Sequence, residues 1–285
     1  MQVAFLNGKF VPLVNAKVSI LDRGFLYGDG VFETMRSYSG KVFQLERHID
    51  RLLISLKILR IKIPYTKNKL CLLVDRALRL NKLNNAYIKL LVTRGVTPGG
   101  IDIPKTTKPT LLIYVSPLGG IAEGIYKKGI KINFACVDKN EKSFIARIKS
   151  LNYLDNILAR AEARDGGFDE AVFVNAKGNV AEATTSNIFM VKRSTLITPP
   201  LRAGLLPGIT RQVVIQIIKK YFRNKICEKN IKPDDLFNAD EIFLTNSILE
   251  IVPVVKLGRK RIGTGKPGIF TNLVRIFYRT EVKDV

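Results

Sequence analysis

Three observations make this sequence predict an α+β fold. Short segments of period-2 alternation lie among apolar stripes of period 3.6. The two kinds of segment follow no strict strand–helix–strand rhythm. A glycine- and proline-bearing break, Ser116-Pro-Leu-Gly-Gly120, separates two strand-like runs. At 285 residues the chain suits one large domain or two ordinary ones.

Taken in order, Val3–Leu6 and Lys9–Val11 flank Asn7-Gly8, a dipeptide suited to a tight hairpin. Val31–Tyr38 alternates, with Phe32, Thr34, Arg36 and Tyr38 on one face and Val31, Glu33 and Met35 on the other. After a turn at Ser39-Gly40, Leu45, Ile49, Leu52, Leu56 and Leu59 form the stripe of a helix, and a second helix is expected over Lys69–Leu80. Tyr87–Arg94 reads as a strand with Tyr87, Lys89, Leu91 and Thr93 sharing a face, and Leu111–Val115 as another. Beyond the break come a strand near Ile130–Cys136 and a helix over Leu151–Arg164, with Leu151, Leu154, Leu158 and Ala161 in register. Strands near Ala171–Val174 and Asn187–Val191 follow. Pro207-Gly208-Ile209-Thr210 then opens a helix carrying Val213, Val214, Ile217 and Ile218. Glu241–Thr245 and Ile251–Val255 flank a turn at Asn246-Ser247.

Composition narrows the chemistry. No apolar run approaches the ~20 residues of a membrane span, and Met1-Gln-Val-Ala-Phe-Leu6 leads straight into the hairpin turn, as a strand rather than a leader would. The three cysteines, Cys71, Cys136 and Cys227, are odd in number and widely spaced, which points to a reducing cytoplasm and to no metal site. His48 is the single histidine. That excludes Ser-His-Asp and Cys-His catalysis, and an isolated histidine reads as structural or superficial. Lysine, carboxylate, tyrosine or a cofactor must then move the protons. The net charge of +23 is spread through Lys57–Lys69, Lys127–Lys149 and Lys256–Arg279 without a helix-turn-helix, RNP-type or zinc-finger pattern. It reads as a solvated surface favouring anionic ligands rather than as a nucleic-acid interface.

The most informative stretch is Lys149-Ser-Leu-Asn-Tyr-Leu-Asp-Asn156, followed by Asp169-Glu-Ala-Val-Phe-Val174 and Glu182-Ala-Thr-Thr-Ser-Asn-Ile-Phe189. A lysine that forms a Schiff base, plus an acid that keeps a pyridinium nitrogen charged, is the minimum protein contribution to pyridoxal phosphate (PLP) chemistry. These motifs resemble the core of the class IV (fold-type IV) PLP enzymes: branched-chain aminotransferase, D-amino-acid aminotransferase and aminodeoxychorismate lyase. The likeness runs from about Val3 to Pro253. It implies a two-domain fold of the D-amino-acid aminotransferase type with the cofactor between the domains. The N-terminal α+β domain would span 1–118, and the cofactor-binding domain at 119–285 would carry the Schiff-base lysine, with a homodimer as the usual minimum assembly.

The same resemblance assigns roles. Lys149 is the covalent and catalytic lysine, and Glu182 partners the pyridine nitrogen. Arg51 is the phosphate arginine, whose fork can bind two oxygens at once. Ile209 and Thr210 offer helix-start amides and a hydroxyl to the phosphate. Asn246 and Ser247 add a second pair of donors, Ser247 standing where relatives often carry threonine. Leu206 packs on the ring, and Tyr153 reaches its phenolic oxygen. On the substrate side, Leu26-Tyr-Gly-Asp-Gly-Val-Phe-Glu33, Ala86-Tyr-Ile88 and Thr93-Arg-Gly-Val96 look like branched-chain aminotransferase, and Tyr27, Phe32, Arg36 and Tyr87 match its pocket. Thr34 replaces a usual glycine and Lys89 a common arginine. Both, with Thr245-Asn-Ser247, look like aminodeoxychorismate lyase, while Thr184-Thr-Ser-Asn187 is nearer to the D-amino-acid and lyase versions. The expected function is PLP-dependent transfer of an amino group between an amino acid, branched-chain-like or similar, and a 2-oxo acid by a ping-pong mechanism. The alternative is cleavage of 4-amino-4-deoxychorismate to p-aminobenzoate and pyruvate.

Overall fold

Two separate sheets organise the chain. A computed structural model describes residues 2–97, 100–120, 124–222 and 225–283. The chain divides into two units, one holding Met1–Gly119 with Ile148–Asn152, the other Gly120–Arg147 with Tyr153–Asp284. Ile148–Asn152, and Lys149 with it, groups with the first unit.

The first unit is built on an antiparallel sheet of β1 (Val3–Leu6), β2 (Lys9–Pro12), β3 (Gly30–Tyr38), β4 (Lys41–Val42), β5 (Ala86–Val96) and β6 (Lys108–Pro117), in the order β2-β1-β6-β5-β3-β4. A short α1 (Arg23–Tyr27) precedes β3, and α2 (Leu45–Ile58) and α3 (Lys67–Leu80) pack on one face of the sheet. Ile49, Leu52 and Leu56 of α2 are buried against Val31 and Met35 of β3 and Ile88, Leu90 and Val92 of β5. Alternation in β3 therefore sends Val31, Glu33 and Met35 to the helices, as read from the sequence. Asp29, immediately before β3, accepts from Arg23 Nε at 2.8 Å and from Arg94 Nε at 2.7 Å. Burial alone would raise this carboxyl, but the two guanidinium groups outweigh it and lower it.

The second unit carries a mixed sheet of nine strands, β7 (Ile130–Phe134), β8 (Glu170–Val174), β9 (Val180–Ala183), β10 (Asn187–Lys192), β11 (Thr195–Thr198), β12 (Ile226–Glu228), β13 (Glu241–Asn246), β14 (Glu250–Leu257) and β15 (Lys260–Arg261). Its order is β12-β11-β10-β13-β14-β7-β8-β9, with β15 on β14. Around it lie α4 (Gly124–Lys128), α5 (Leu154–Asp165), α6 (Ile209–Tyr221), α7 (Pro233–Phe237) and α8 (Ile269–Lys283). Val213, Val214, Ile217 and Ile218 of α6 are all buried, as the apolar stripe requires.

Helix α5 departs from expectation in start and in face. It begins at Leu154 rather than Leu151, because Ser150 bridges Val31 and the Leu151 N–H donates to the Gly30 carbonyl at 3.0 Å, which keeps that backbone extended. Leu154 and Leu158 are 65% and 54% exposed, whereas Ala159 and Ala163 pack on Ala171 and Phe173 of β8. Small residues mark the buried face here, since they let helix and strand approach closely.

The junction of β3, β5 and residues 150–152 leaves no room at Gly30. A Cβ there would lie 2.5 Å from the Val92 carbonyl oxygen and 2.8 Å from Leu151 Cδ1. Gly30→Ala is expected to cost about 1–3 kcal/mol through overpacking, measured as a lower denaturant midpoint with an unchanged slope. An unaltered midpoint would mean that the junction is loosely packed.

Candidate active site

The face of the first sheet away from α2 and α3 gathers most of the residues singled out for substrate. In the β3–β5 register Thr34 stands opposite Lys89 and Arg36 opposite Tyr87, and directly opposed residues present their side chains on one side. Phe32, Thr34, Arg36, Tyr87 and Lys89 thus form one patch. Tyr114 of β6, the register partner of Lys89, joins it. Sequence reading passed over Tyr114, although alternation in β6 already set it apart from the buried Ile113 and Val115. Tyr27, in the last turn of α1, is 47% exposed, with the Arg23 guanidinium 5.1 Å from its ring.

Lys149 belongs to this patch through its backbone. Its carbonyl accepts the Phe32 N–H at 2.9 Å, and two residues on the Leu151 N–H bonds Gly30. The Lys149 ammonium lies 4.5 Å from the centre of the Phe32 ring, and Lys89 Nζ lies 4.5 Å from the same ring. Burial lowers the Lys89 ammonium below its ordinary value.

Arg51, the expected phosphate arginine, is anchored from below. Its Nε and Nη2 donate to the two oxygens of Glu33 at 2.7 and 2.6 Å, a bidentate pair buried beneath β3. His48 Nδ1 lies 2.7 Å from Glu33 Oε2. Burial opposes charge on Glu33, but the Arg51 guanidinium and the His48 ring prevail and hold its carboxyl at about 2. His48 is pushed down from its ordinary value, chiefly by burial and further by Arg51 and Lys149, although Glu33 pulls the other way. The single histidine is therefore a buried structural group.

In the second unit Glu182 sits on β9, 7% exposed and held at both oxygens. Oε1 is 3.0 Å from Lys139 Nζ, and Oε2 accepts the Leu206 N–H at 3.0 Å and Asn187 Nδ2 at 3.4 Å. Asn187 Nδ2 also donates to the Leu206 carbonyl at 3.0 Å. Leu206 thus meets Glu182 and Asn187 through its backbone. Gly208 caps α6, and a Cβ there would meet Asn187 Oδ1 at 1.9 Å, so only glycine lets the helix start so close to Asn187. Ile209 and Thr210 follow as its first residues, whose amides have no acceptor within the helix. The Tyr153 hydroxyl donates to the Thr184 carbonyl at 3.3 Å. Asn246 Oδ1 accepts from the Ile248 and Leu249 amides of its own turn, and its Nδ2 donates to the Ser186 hydroxyl just before β10. Its side chain thus shapes the loop that carries Ser247.

Residues 30–257 match the family profile of amino-transferases of class IV. The chain belongs to the class IV aminotransferase family. It is 42% identical over 273 residues to a putative branched-chain-amino-acid aminotransferase of Methanocaldococcus jannaschii, covering 95% of this chain and 93% of that one. It is 33% identical over 283 residues to the aminodeoxychorismate lyase of Bacillus subtilis, covering 99% and 95%. The crystal structure of Escherichia coli branched-chain amino acid aminotransferase superposes with a TM-score of 0.94 at 28% identity, covering 98% of this chain and 94% of that one. The α+β fold is that of the fold-type IV enzymes, and the chain is an enzyme of the aminotransferase class. Among its described residues no helix is long and apolar enough to cross a membrane.

Class IV membership does not by itself single out Lys139, Asn187, Glu33 or His48, which the sequence reading left without a chemical role. Their signal is three-dimensional: each is bonded to a residue that it did single out, or to that residue's partner.

The Glu33–His48–Arg51 cluster makes the first unit acid-sensitive. A histidine whose folded pKa is depressed contributes stability that is complete above its ordinary 6.5 and is lost as pH falls below it. Glu33, depressed from 4.5 to about 2, contributes stability lost over that lower window. The melting temperature of wild-type protein is expected to fall between pH 7 and 5, and His48→Gln to flatten that slope. Equal slopes in the two proteins would show that imidazole burial is not coupled to folding.

Proposed function

We propose that this chain is a PLP-dependent amino-acid transaminase in which Lys149 is the covalent lysine and the base, acting alternately on an amino acid and a 2-oxo acid. The observation that carries the reading is the setting of Lys149: its backbone is bonded to β3, and its ammonium lies against Phe32 in a patch shared with Lys89 and Arg36. PLP, when bound, supplies the electron sink for a carbanion at the substrate's α-carbon.

The residues present fit that cofactor. Glu182 is a buried carboxylate of the kind that partners a protonated ring nitrogen. The buried Thr245 hydroxyl has no hydrogen-bond partner among the described residues, and it lies on the sheet face of its register partner Asn187. The first turn of α6 favours an anion. In this reading Lys149 Nζ removes and returns the substrate's α-proton. In the first unit Arg51, fixed by Glu33, would bind phosphate oxygens, and in the second the Ile209 amide, the Thr210 hydroxyl, Asn246 and Ser247 are the groups that would do so. Leu206 would pack on the ring, and the Tyr153 hydroxyl would turn from the Thr184 carbonyl to the ring's phenolic oxygen. Tyr27, Phe32 and Tyr87 provide walls for an aliphatic side chain, and Arg36 and Lys89 meet a carboxylate. The names of the Methanocaldococcus and Escherichia proteins support a branched-chain preference.

A lyase reading is favoured by the pairing of Thr34 with Lys89 across β3 and β5 and by the likeness to the Bacillus enzyme. The chain would then release p-aminobenzoate and pyruvate from aminodeoxychorismate. A homodimer fits the exposed Ile20, Phe25 and Leu26, which a second copy would cover. A reducing cytoplasm fits the free Cys71, Cys136 and Cys227.

The test is a half-reaction panel on PLP-loaded protein with L-leucine, L-glutamate, D-alanine and aminodeoxychorismate. L-leucine and L-glutamate are expected to bleach the yellow absorbance, and Lys149→Ala to slow bleaching by at least about a hundredfold. Release of p-aminobenzoate without bleaching by any amino acid would replace the transaminase with the lyase. Protein that cannot be loaded with PLP would refute both.

A further inference from the structure

We infer that Lys139 is a positioning residue for Glu182, fixing the carboxylate that the preceding reading pairs with the pyridine nitrogen; the inference rests on that reading. Lys139 Nζ is 3.0 Å from Glu182 Oε1, with the two side chains 18% and 10% exposed. Lysines at a protein surface hold such contacts loosely, because four rotatable bonds must be frozen to make them. Lys139 is held at both ends. Its backbone N–H donates to the Val174 carbonyl at 2.8 Å, and the residue bridges Asn175. Its ammonium lies 5.0 Å from the centre of the Phe173 ring.

The division of labour around the carboxylate assigns the role. Oε2 takes two neutral donors, the Leu206 amide and Asn187 Nδ2. Oε1 takes the one cation of the three, so among the described residues bonded to Glu182 only Lys139 opposes the negative charge that burial makes costly. Amide donors set direction, whereas the ammonium supplies charge. A carboxylate held this way can serve a second cation, the protonated ring nitrogen, without having to turn. Without the ammonium Glu182 would be held at Oε2 alone, with Oε1 uncompensated and less firmly oriented toward the ring nitrogen.

The experiment is a double-mutant cycle on PLP affinity, read by titrating apoprotein with PLP. It compares wild type, Lys139→Met, Glu182→Gln and the double variant, with apoprotein melting temperatures measured alongside. Each single change is expected to weaken PLP about tenfold, the scale of one charge-assisted hydrogen bond. The double variant should bind no more weakly than Glu182→Gln alone, and Lys139→Arg should restore affinity to within about threefold of wild type. Single effects that multiply in the double variant, or a Lys139→Met protein with wild-type affinity, would overturn the role of Lys139 while leaving the cofactor reading intact. Wild-type protein that binds no PLP, or Glu182→Gln with unchanged affinity, would overturn the Glu182 reading and this inference with it. If Lys139→Met fails to fold, Lys139→Gln, which keeps a donor but no charge, takes its place with the same outcomes.

Discussion

Two backbone hydrogen bonds fasten residues 149–151 to the first sheet: Phe32 N–H to the Lys149 carbonyl, and Leu151 N–H to the Gly30 carbonyl. A lysine side chain is long and mobile, and its usefulness as a nucleophile depends on where its Cα is fastened. Stitching residues 149–151 along the first residues of β3 turns a flexible amine into one that starts from a fixed point beside an aromatic ring. The same stitching explains why α5 begins three residues later than its apolar pattern suggests, and why Gly30 tolerates no side chain.

Beneath that sheet, a second constraint works through charge. Glu33 points away from the patch that carries Lys149 and into the core, where an isolated carboxylate would be prohibitive. Arg51 answers it with two parallel hydrogen bonds, and His48 adds a third contact. The ion pair holds the guanidinium as firmly as packing holds a leucine. In a chain with a net charge of +23, ordered cations such as Arg51, Arg94 and Lys139 are the ones matched to buried or half-buried acids.

Much of this was legible in the sequence, for reasons specific to each element. Period-2 alternation located β3 and β5 and sorted Phe32 from Glu33, because one face of that sheet packs on α2 and α3 and the other does not. The helix stripe of α2 was equally plain. Helix α5 misled because its buried face is alanine while its leucines are exposed, so hydrophobicity pointed the wrong way. Strands β9 and β11 are only four residues long, and their burial on both faces leaves no alternation to read. Motif resemblance singled out Lys149 and Glu182 as candidates. Lys139, which holds one oxygen of Glu182, lies after β7 and more than forty positions before it, and no local pattern links residues so far apart; Asn187 is only five positions on, but its bond to Glu182 runs between consecutive strands and has no signature in the sequence.

A lone imidazole sealed between a carboxylate and a guanidinium also equips the protein with a natural spectroscopic reporter. With no other ring of its kind in the chain, its proton resonances would be assigned without labelling or mutagenesis. Their position would register any rearrangement under the first sheet, including one set off by a ligand arriving on the opposite face.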